Sequence, residues 1–293
     1  MQLDSTSGSQ QAPLSDAMVD AMTALAAPVC VGLDPVVDRL PQDLRQRKPE
    51  AAIASFCEGV LDSVAGIVPI VKFQSACFER YGAPGVEVLT QMVAAAHQRD
   101  LLVILDAKRG DIGISAEHYA HAAFDLMQAD WITANAYLGL DGIEPFLTAG
   151  QGCFALVRTS NKSAAEFQES KLDNGMTIAQ RLAVCVAQWG AGYVGRCGFS
   201  TLGAVVGATC PESAISLRQL MPQQLFLVPG YGAQGGSAET VRHCFNEHGQ
   251  GAIVTASRSV IYAQAQQGQS WREAVAQEAR RFASEIGSIA GLQ

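Results

Sequence analysis

Residues 101–113 read LLVILDAKRGDIG, an apolar run that breaks into four charged side chains, Asp106, Lys108, Arg109 and Asp111. Residues 101–105 have the unbroken apolar character of a parallel strand buried on both faces. Side chains alternate along a strand, so a backbone extended as far as Lys108 puts Asp106 and Lys108 on the same side as Ile104. An acid and an amine then meet at one strand end. A lone D-x-K triplet is ordinarily a surface ion pair of little energetic value. Here two further apolar runs end the same way: residues 67–74 read IVPIVKFQ and deliver Lys72, and residues 29–35 read VCVGLDP and deliver Asp34. Three buried strands that each present charge at the C-terminal end describe a site, not a solvated face.

The same alternation extends outward from this stretch. Apolar runs of strand length near 29–33, 67–71, 101–105, 131–135, 153–157, 202–207, 225–228 and 252–256 are separated by longer amphipathic segments. Helical spacing is found over 14–26, ahead of the first run, and among the intervening segments over 50–65, 84–99, 115–129, 178–190 and 237–248. This order predicts an α/β fold with a parallel sheet and right-handed crossovers. Eight strands is the number that closes a (β/α)8 TIM barrel; an open doubly wound sheet is the rival architecture. No Pro/Ser-rich linker divides the 293 residues, so a single barrel domain is expected over 14–293, with an N-terminal helix at its start. Residues 1–13 are Ser/Gln-rich and aperiodic and read as a flexible, disordered tail.

Hydrophobic residues make up 48% of the chain and charged residues 16%, enough for one large core and too apolar for disorder. A net charge of −8 argues against a nucleic-acid surface, so positive charge must come from single placed residues. The eight cysteines include no C-x-x-C and no tight Cys/His group. Neither a zinc site nor a disulfide framework is indicated, and most read as small buried apolar residues. The first residues lack the basic and apolar regions of a secretion signal, and no run of 18 apolar residues occurs. No membrane association is therefore expected, and the location expected is cytoplasmic, with reduced thiols.

Strand seven runs into VPGYGAQGGS at 228–237 and strand eight into VTASRSV at 254–260. Glycines at 230, 232, 235 and 236 free the backbone to aim several N–H groups at one anion, and Arg258 can close on it as a bidentate donor. Barrels place phosphate sites after strands seven and eight. Gly230, Gly232 and Gly235 also satisfy G-x-G-x-x-G, but the acidic residue that would hold a ribose at the next strand end is replaced by Thr255, Ser257 and Arg258. A second match at Gly190, Gly192 and Gly195 follows a helix, the wrong context. His118 and His121 share a helix face but lack a third metal ligand, and no metal site is expected. Trp131, Tyr137 and Phe146 read as packing residues. Ser160, in RTSN, has no histidine at a strand end to activate it, so a hydrogen-bonding role suits it better than a nucleophilic one. The long gap after it, with NKSAAEFQESKLDNG, reads as a lid or a decoration on the strand-end face.

Taken together, DAKRGDIG at 106–113, VKFQ at 71–74, GLDP at 32–35, VGAT at 206–209, PGYGAQGG at 229–236 and SRSVIY at 257–262 resemble the orotidine 5'-phosphate decarboxylases. Within them, the likeness is to the longer bacterial (type 2) group whose signature reads DAKRGDIG, and it extends over about 28–262. The resemblance implies a homodimeric barrel that works without a cofactor and converts orotidine monophosphate to UMP and carbon dioxide, the last step of pyrimidine nucleotide synthesis. By motif it implies a charged tetrad of Lys72, Asp106, Lys108 and Asp111, with Asp111 reaching into the neighbouring subunit's site. It also implies ribose contacts by Asp34 and, across the interface, Ser115. Ser160 resembles the hydroxyl that reads the pyrimidine amide, and Gln234, Gly235 and Arg258 resemble a phosphate grip.

Two alternatives are weighed against this reading. A magnesium-dependent sugar-phosphate lyase of the same superfamily shares D-x-K-x-x-D, but family resemblance would place a metal-holding carboxylate on strand two, where this chain has Lys72 and Gln74. A catalytically dead nucleotide-binding barrel predicts loss of a tetrad member, and all four are present.

Overall fold

Runs of Val, Ile, Leu, Phe and Cys that carry no helical period pair here as strands, and the amphipathic stretches between them wrap the outside as helices. The computed structural model describes residues 13–148, 150–232 and 235–292. The strands are β1 (Val29–Leu33), β2 (Ile70–Gln74), β3 (Leu102–Arg109), β4 (Trp131–Ala134), β5 (Gly152–Arg158), β6 (Ser200–Val206), β7 (Gln224–Val228) and β8 (Ala252–Ala256). All pair in parallel with their sequence neighbours, and β8 closes on β1, giving the TIM barrel that the alternation predicts. The principal helices are α1 (Leu14–Leu25), α2 (Pro49–Val64), α3 (Gly82–His97), α4 (Gly113–His121), α5 (Ile178–Gly190), α6 (Pro211–Leu220), α7 (Ala238–Cys244) and α8 (Trp271–Ala290). No helix among the described residues is long and apolar enough to cross a membrane. The tail expected over 1–13 lies, except for Pro13, outside the described residues.

Several boundaries differ from the sequence reading for local reasons. β2 begins three residues later than the apolar run, because Pro69 has no N–H for a ladder and the N–H groups of Ile67 and Val68 turn back to Val64. Lys72 therefore stands within β2 and not past its end. β3 likewise continues through its charged residues to Arg109. The segment expected as one helix over 115–129 starts earlier, at Gly113, and widens after His121 into a π-helical turn over Ala122–Leu126. Ser115 lies inside α4 and does not cap it. Ser237, in contrast, caps α7, its Oγ accepting the Thr240 N–H at 3.2 Å. Trp131 and Phe146 are fully buried, as packing residues should be, but Tyr137 is 75% exposed.

Two apolar layers result. One lies between the sheet and the outer helices. The other fills the barrel with Cys30, Ile70, Ile104, Trp131, Phe154, Leu225 and Ile253, against which Met18, Val19 and Met22 of α1 pack as a plug. The plug is pinned by the buried carboxylate of Asp16, which accepts the N–H groups of Arg196 (3.3 Å) and Cys197 (2.8 Å). With one end stoppered, the described residues leave the barrel open at the strand C-termini.

On the outside, His97 Nε2 lies 3.0 Å from Asp130 Oδ2, which also accepts the Val103 N–H at 2.7 Å. The hydrogen bond to Asp130, partly opposed by burial, raises the imidazole pKa above its ordinary value. A group whose folded pKa is raised contributes stability that is complete below the unfolded value and is lost as pH rises through the folded one. The melting temperature of wild type should therefore exceed that of His97→Gln most at about pH 5.5 and least at about pH 9. A gap that widens with rising pH would contradict the assignment.

Candidate active site

The open end is built by moving two residues along six of the eight strands from the apolar interior layer. Side chains of one strand repeat on one face at every second residue. Ile70 is thus followed by Lys72, Ile104 by Asp106, Trp131 by Thr133, Phe154 by Leu156, Leu225 by Leu227 and Ile253 by Thr255, and all these successors line one cavity of about 790 Å3. Apolar packing below therefore sets the height of a ring above that is polar at Lys72, Asp106, Thr133 and Thr255 and apolar at Leu156 and Leu227.

Asp106 is the hub of that ring. Its Oδ2 accepts from Lys72 Nζ at 2.8 Å and from Gln74 Nε2 at 3.3 Å, and its Oδ1 accepts from Lys108 Nζ at 2.5 Å and from Thr133 Oγ1 at 2.8 Å. Four donors on one carboxylate use its full acceptor capacity. Burial by itself would raise the Asp106 carboxyl, but the ammonium groups of Lys72 and Lys108 outweigh it and hold the group well below the usual carboxylate range. Burial would likewise discharge Lys72, yet Asp106 and then Asp34, whose Oδ1 lies 3.8 Å from Nζ, push its pKa above that of an ordinary lysine. Lys72 is 5% exposed, whereas the Lys108 side chain is 45% exposed and reaches the open cavity. One ammonium is structural in its setting and the other is free to meet a ligand.

Asp34 lines the same cavity, and its buried Oδ1 has no hydrogen-bond partner. The loop that carries it is fixed from β8: the Tyr262 hydroxyl donates to the Asp34 carbonyl (3.2 Å) and accepts the Val36 N–H (2.8 Å). Ser160 lines the cavity at the end of β5, and its backbone lies so close to Gly207 that a Cβ there would come within 2.9 Å of the Ser160 Cα. Arg258 lines the cavity from the turn after β8, and among the described residues no carboxylate pairs with its guanidinium. Gly230 takes φ +96°, which only glycine adopts without strain, and turns β7 into the neighbouring loop. In that loop the Gly235 N–H is donated to Gly232 at 3.0 Å and Gly236 to Gly230 at 3.1 Å, so these amides close the loop on itself. Gln234 lies outside the described residues.

Asp111 and Ser115 do not line the cavity. The Asp111 carboxylate accepts the N–H of Ile112 at 2.9 Å and sits among exposed apolar side chains, Ile112 at 55%, Ile114 at 68% and Leu138 at 49% exposure. The residues past Ser160 fold over the rim, where Gln168 donates to Thr159 Oγ1 (2.8 Å) and accepts the Thr159 N–H (2.9 Å).

A family model described as orotidine 5'-phosphate decarboxylase / HUMPS family matches residues 27–274. The chain belongs to this family. It is 41% identical over 252 residues to an orotidine 5'-phosphate decarboxylase of Rhodopirellula baltica, covering 80% of this chain and 83% of that one. It is 39% identical over 264 residues to an orotidine 5'-phosphate decarboxylase of Bordetella pertussis, covering 88% and 92%. The solved structure of Leishmania donovani OMP decarboxylase superposes with a TM-score of 0.79 at 27% identity, covering 96% of this chain and all of that one.

Thr133 from β4 and Thr255 from β8, neither of them a site residue in the sequence-based expectation, also line the cavity. Both carried a signal: each is a polar residue two positions past a large apolar residue in a buried strand. Lys162 and Gln168 also line the cavity, and nothing in a polar loop sequence marks which side chains will turn inward.

Proposed function

We propose that the protein decarboxylates orotidine 5'-phosphate to uridine 5'-phosphate and carbon dioxide, as the last step of de novo UMP synthesis. The observation that carries this reading is Asp106 held between two ammonium groups at the floor of a nucleotide-sized cavity. Loss of carbon dioxide breaks a carbon–carbon bond and leaves its electron pair on a ring carbon that cannot readily delocalise it. Lys108 opposes that charge as it forms and then transfers a proton from Nζ to the carbon, making a C–H bond and leaving a neutral amine for water to reprotonate. Asp106 lies beside the departing carboxylate and orients both lysines. Lys72, charged and buried, keeps Asp106 ionised.

Asp34 binds the ribose hydroxyls, Ser160 reads the pyrimidine amide, and Gln234, Gly235 and Arg258 hold the phosphate. Gly235 would present its N–H only if the loop reopens around an anion. The exposed apolar rim around Asp111 supports a homodimer in which Asp111 and Ser115 complete the partner's site. The DAKRGDIG motif supports membership of the longer bacterial, type 2 group. A single cytoplasmic domain over 14–293 and a short tail over 1–13 complete the reading. The sugar-phosphate lyase reading is disfavoured because β2 presents the buried ammonium of Lys72, paired with Asp106 at 2.8 Å, where that chemistry needs a metal-holding carboxylate.

Purified protein given orotidine monophosphate should yield UMP and carbon dioxide in equal amounts; intact substrate after long incubation would sink the proposal. Arg258→Ala should weaken UMP binding about 10- to 100-fold, as loss of a charged hydrogen bond implies, and leave uridine binding unchanged. Calorimetric titration with both ligands checks this, and equal losses would remove Arg258 from the phosphate site.

A further inference from the structure

Thr133 is 1% exposed on β4, beside the irregular part of β3. The β3–β4 ladder pairs Ile104 with Trp131 and Leu105 with Ile132, then resumes at Arg109 with Ala134. Residues 106, 107 and 108 of β3 thus stand opposite Thr133 alone, a bulge that contains both Asp106 and Lys108. Lys108 has φ +47°, a left-handed conformation that residues with a Cβ avoid unless their surroundings enforce it. The Thr133 side chain lies against this turn. The Lys108 N–H, which a regular ladder would give to a backbone carbonyl, is donated to Thr133 Oγ1 at 3.0 Å. The same hydroxyl donates its own proton to Asp106 Oδ1 at 2.8 Å. Both roles are fixed, since an ionised carboxylate can only accept and an amide N–H can only donate.

We propose that Thr133 is a positioning residue for the decarboxylation, acting through Lys108 and Asp106. In an extended strand, residues two apart are carried about 6.6 Å along the axis. The left-handed turn instead folds Lys108 back so that Nζ reaches Asp106 Oδ1 at 2.5 Å. Thr133 closes that turn, and its second bond assigns one carboxylate oxygen to Lys108 while the other serves Lys72. One hydroxyl therefore sets both the path of the proton donor and the orientation of its counter-ion.

This inference rests on the decarboxylase reading, so wild type is assayed first: inactive wild type would refute that reading. Given active wild type, Thr133→Val, which keeps the shape and removes both bonds, should lower kcat roughly 10- to 100-fold with KM within about threefold, the loss typical of a misplaced reacting group. Thr133→Ser, which keeps the hydroxyl, should stay within about threefold of wild type on both constants. Melting temperatures identify any variant that fails to fold. Should Thr133→Val unfold, Thr133→Ala compared with Thr133→Ser gives the same test of the hydroxyl. Wild-type kcat in a folded variant without the hydroxyl, an equal loss in Thr133→Ser, or a change confined to KM would overturn the proposal.

Discussion

Lys108→Ala should lower kcat by about 10⁴-fold or more, because the change removes both an electrostatic contribution of order 10²–10³ and a general acid of order 10²–10⁴. Binding should survive. Asp106 keeps Lys72, Gln74 and Thr133 as donors, and the Lys108 side chain is nearly half exposed, so its loss leaves no buried charge stranded. The affinity of the variant for UMP should therefore stay within about tenfold of wild type, one charged contact at most being lost. Turnover at saturating orotidine monophosphate, measured beside UMP affinity, checks both halves. A kcat within tenfold of wild type would remove Lys108 from the proton-transfer step.

Mixing two inactive variants, Lys72→Ala and Asp111→Ala, should restore activity. In a two-fold symmetric dimer with Asp111 supplied across the interface, a hybrid has one site carrying both changes and one site carrying neither. Equal mixing with full exchange makes half the dimers hybrids, so about a quarter of all sites become wild type. Each parent alone should be nearly silent. In Lys72→Ala the Asp106 carboxylate loses its buried partner, and a broken buried pair costs about 3–5 kcal/mol, so melting curves must show that the variant is folded before mixing. Activity near one quarter, rising with the time allowed for exchange, is the expected outcome. Parental activity after exchange, demonstrated with a tagged subunit, would place Asp111 outside the site.

The barrel was readable because its signal is physical and repetitive: eight apolar runs alternating with polar turns and, in most of the gaps, an amphipathic segment. The candidate site was readable where charge interrupts such a run, at Asp34, Lys72, Asp106 and Lys108, all of which line the cavity at the strand ends. The reading failed where geometry departs from the regular strand. An extended backbone was expected to bring Asp106 and Lys108 together, and they do meet, but through a bulge and a left-handed residue that no alternation pattern encodes. Thr133 shows in the sequence only as a polar residue in a buried strand, and its bonds to Lys108 and Asp106 form only opposite that bulge. β2 was placed too early because the apolar run was weighed above Pro69, whose missing N–H decides where pairing starts. Aromatic character alone suggests packing for Tyr137, but it does not distinguish a core position from an exposed one.

The central claim is that two ammonium groups around one carboxylate, and not a bound metal, supply the charge that the reaction needs. It is tested most directly by following the ultraviolet absorbance of orotidine monophosphate with purified protein, in the presence and absence of excess EDTA. The account predicts that absorbance falls at the same rate in both, with UMP as the product. A rate abolished by EDTA and restored by added magnesium would contradict it.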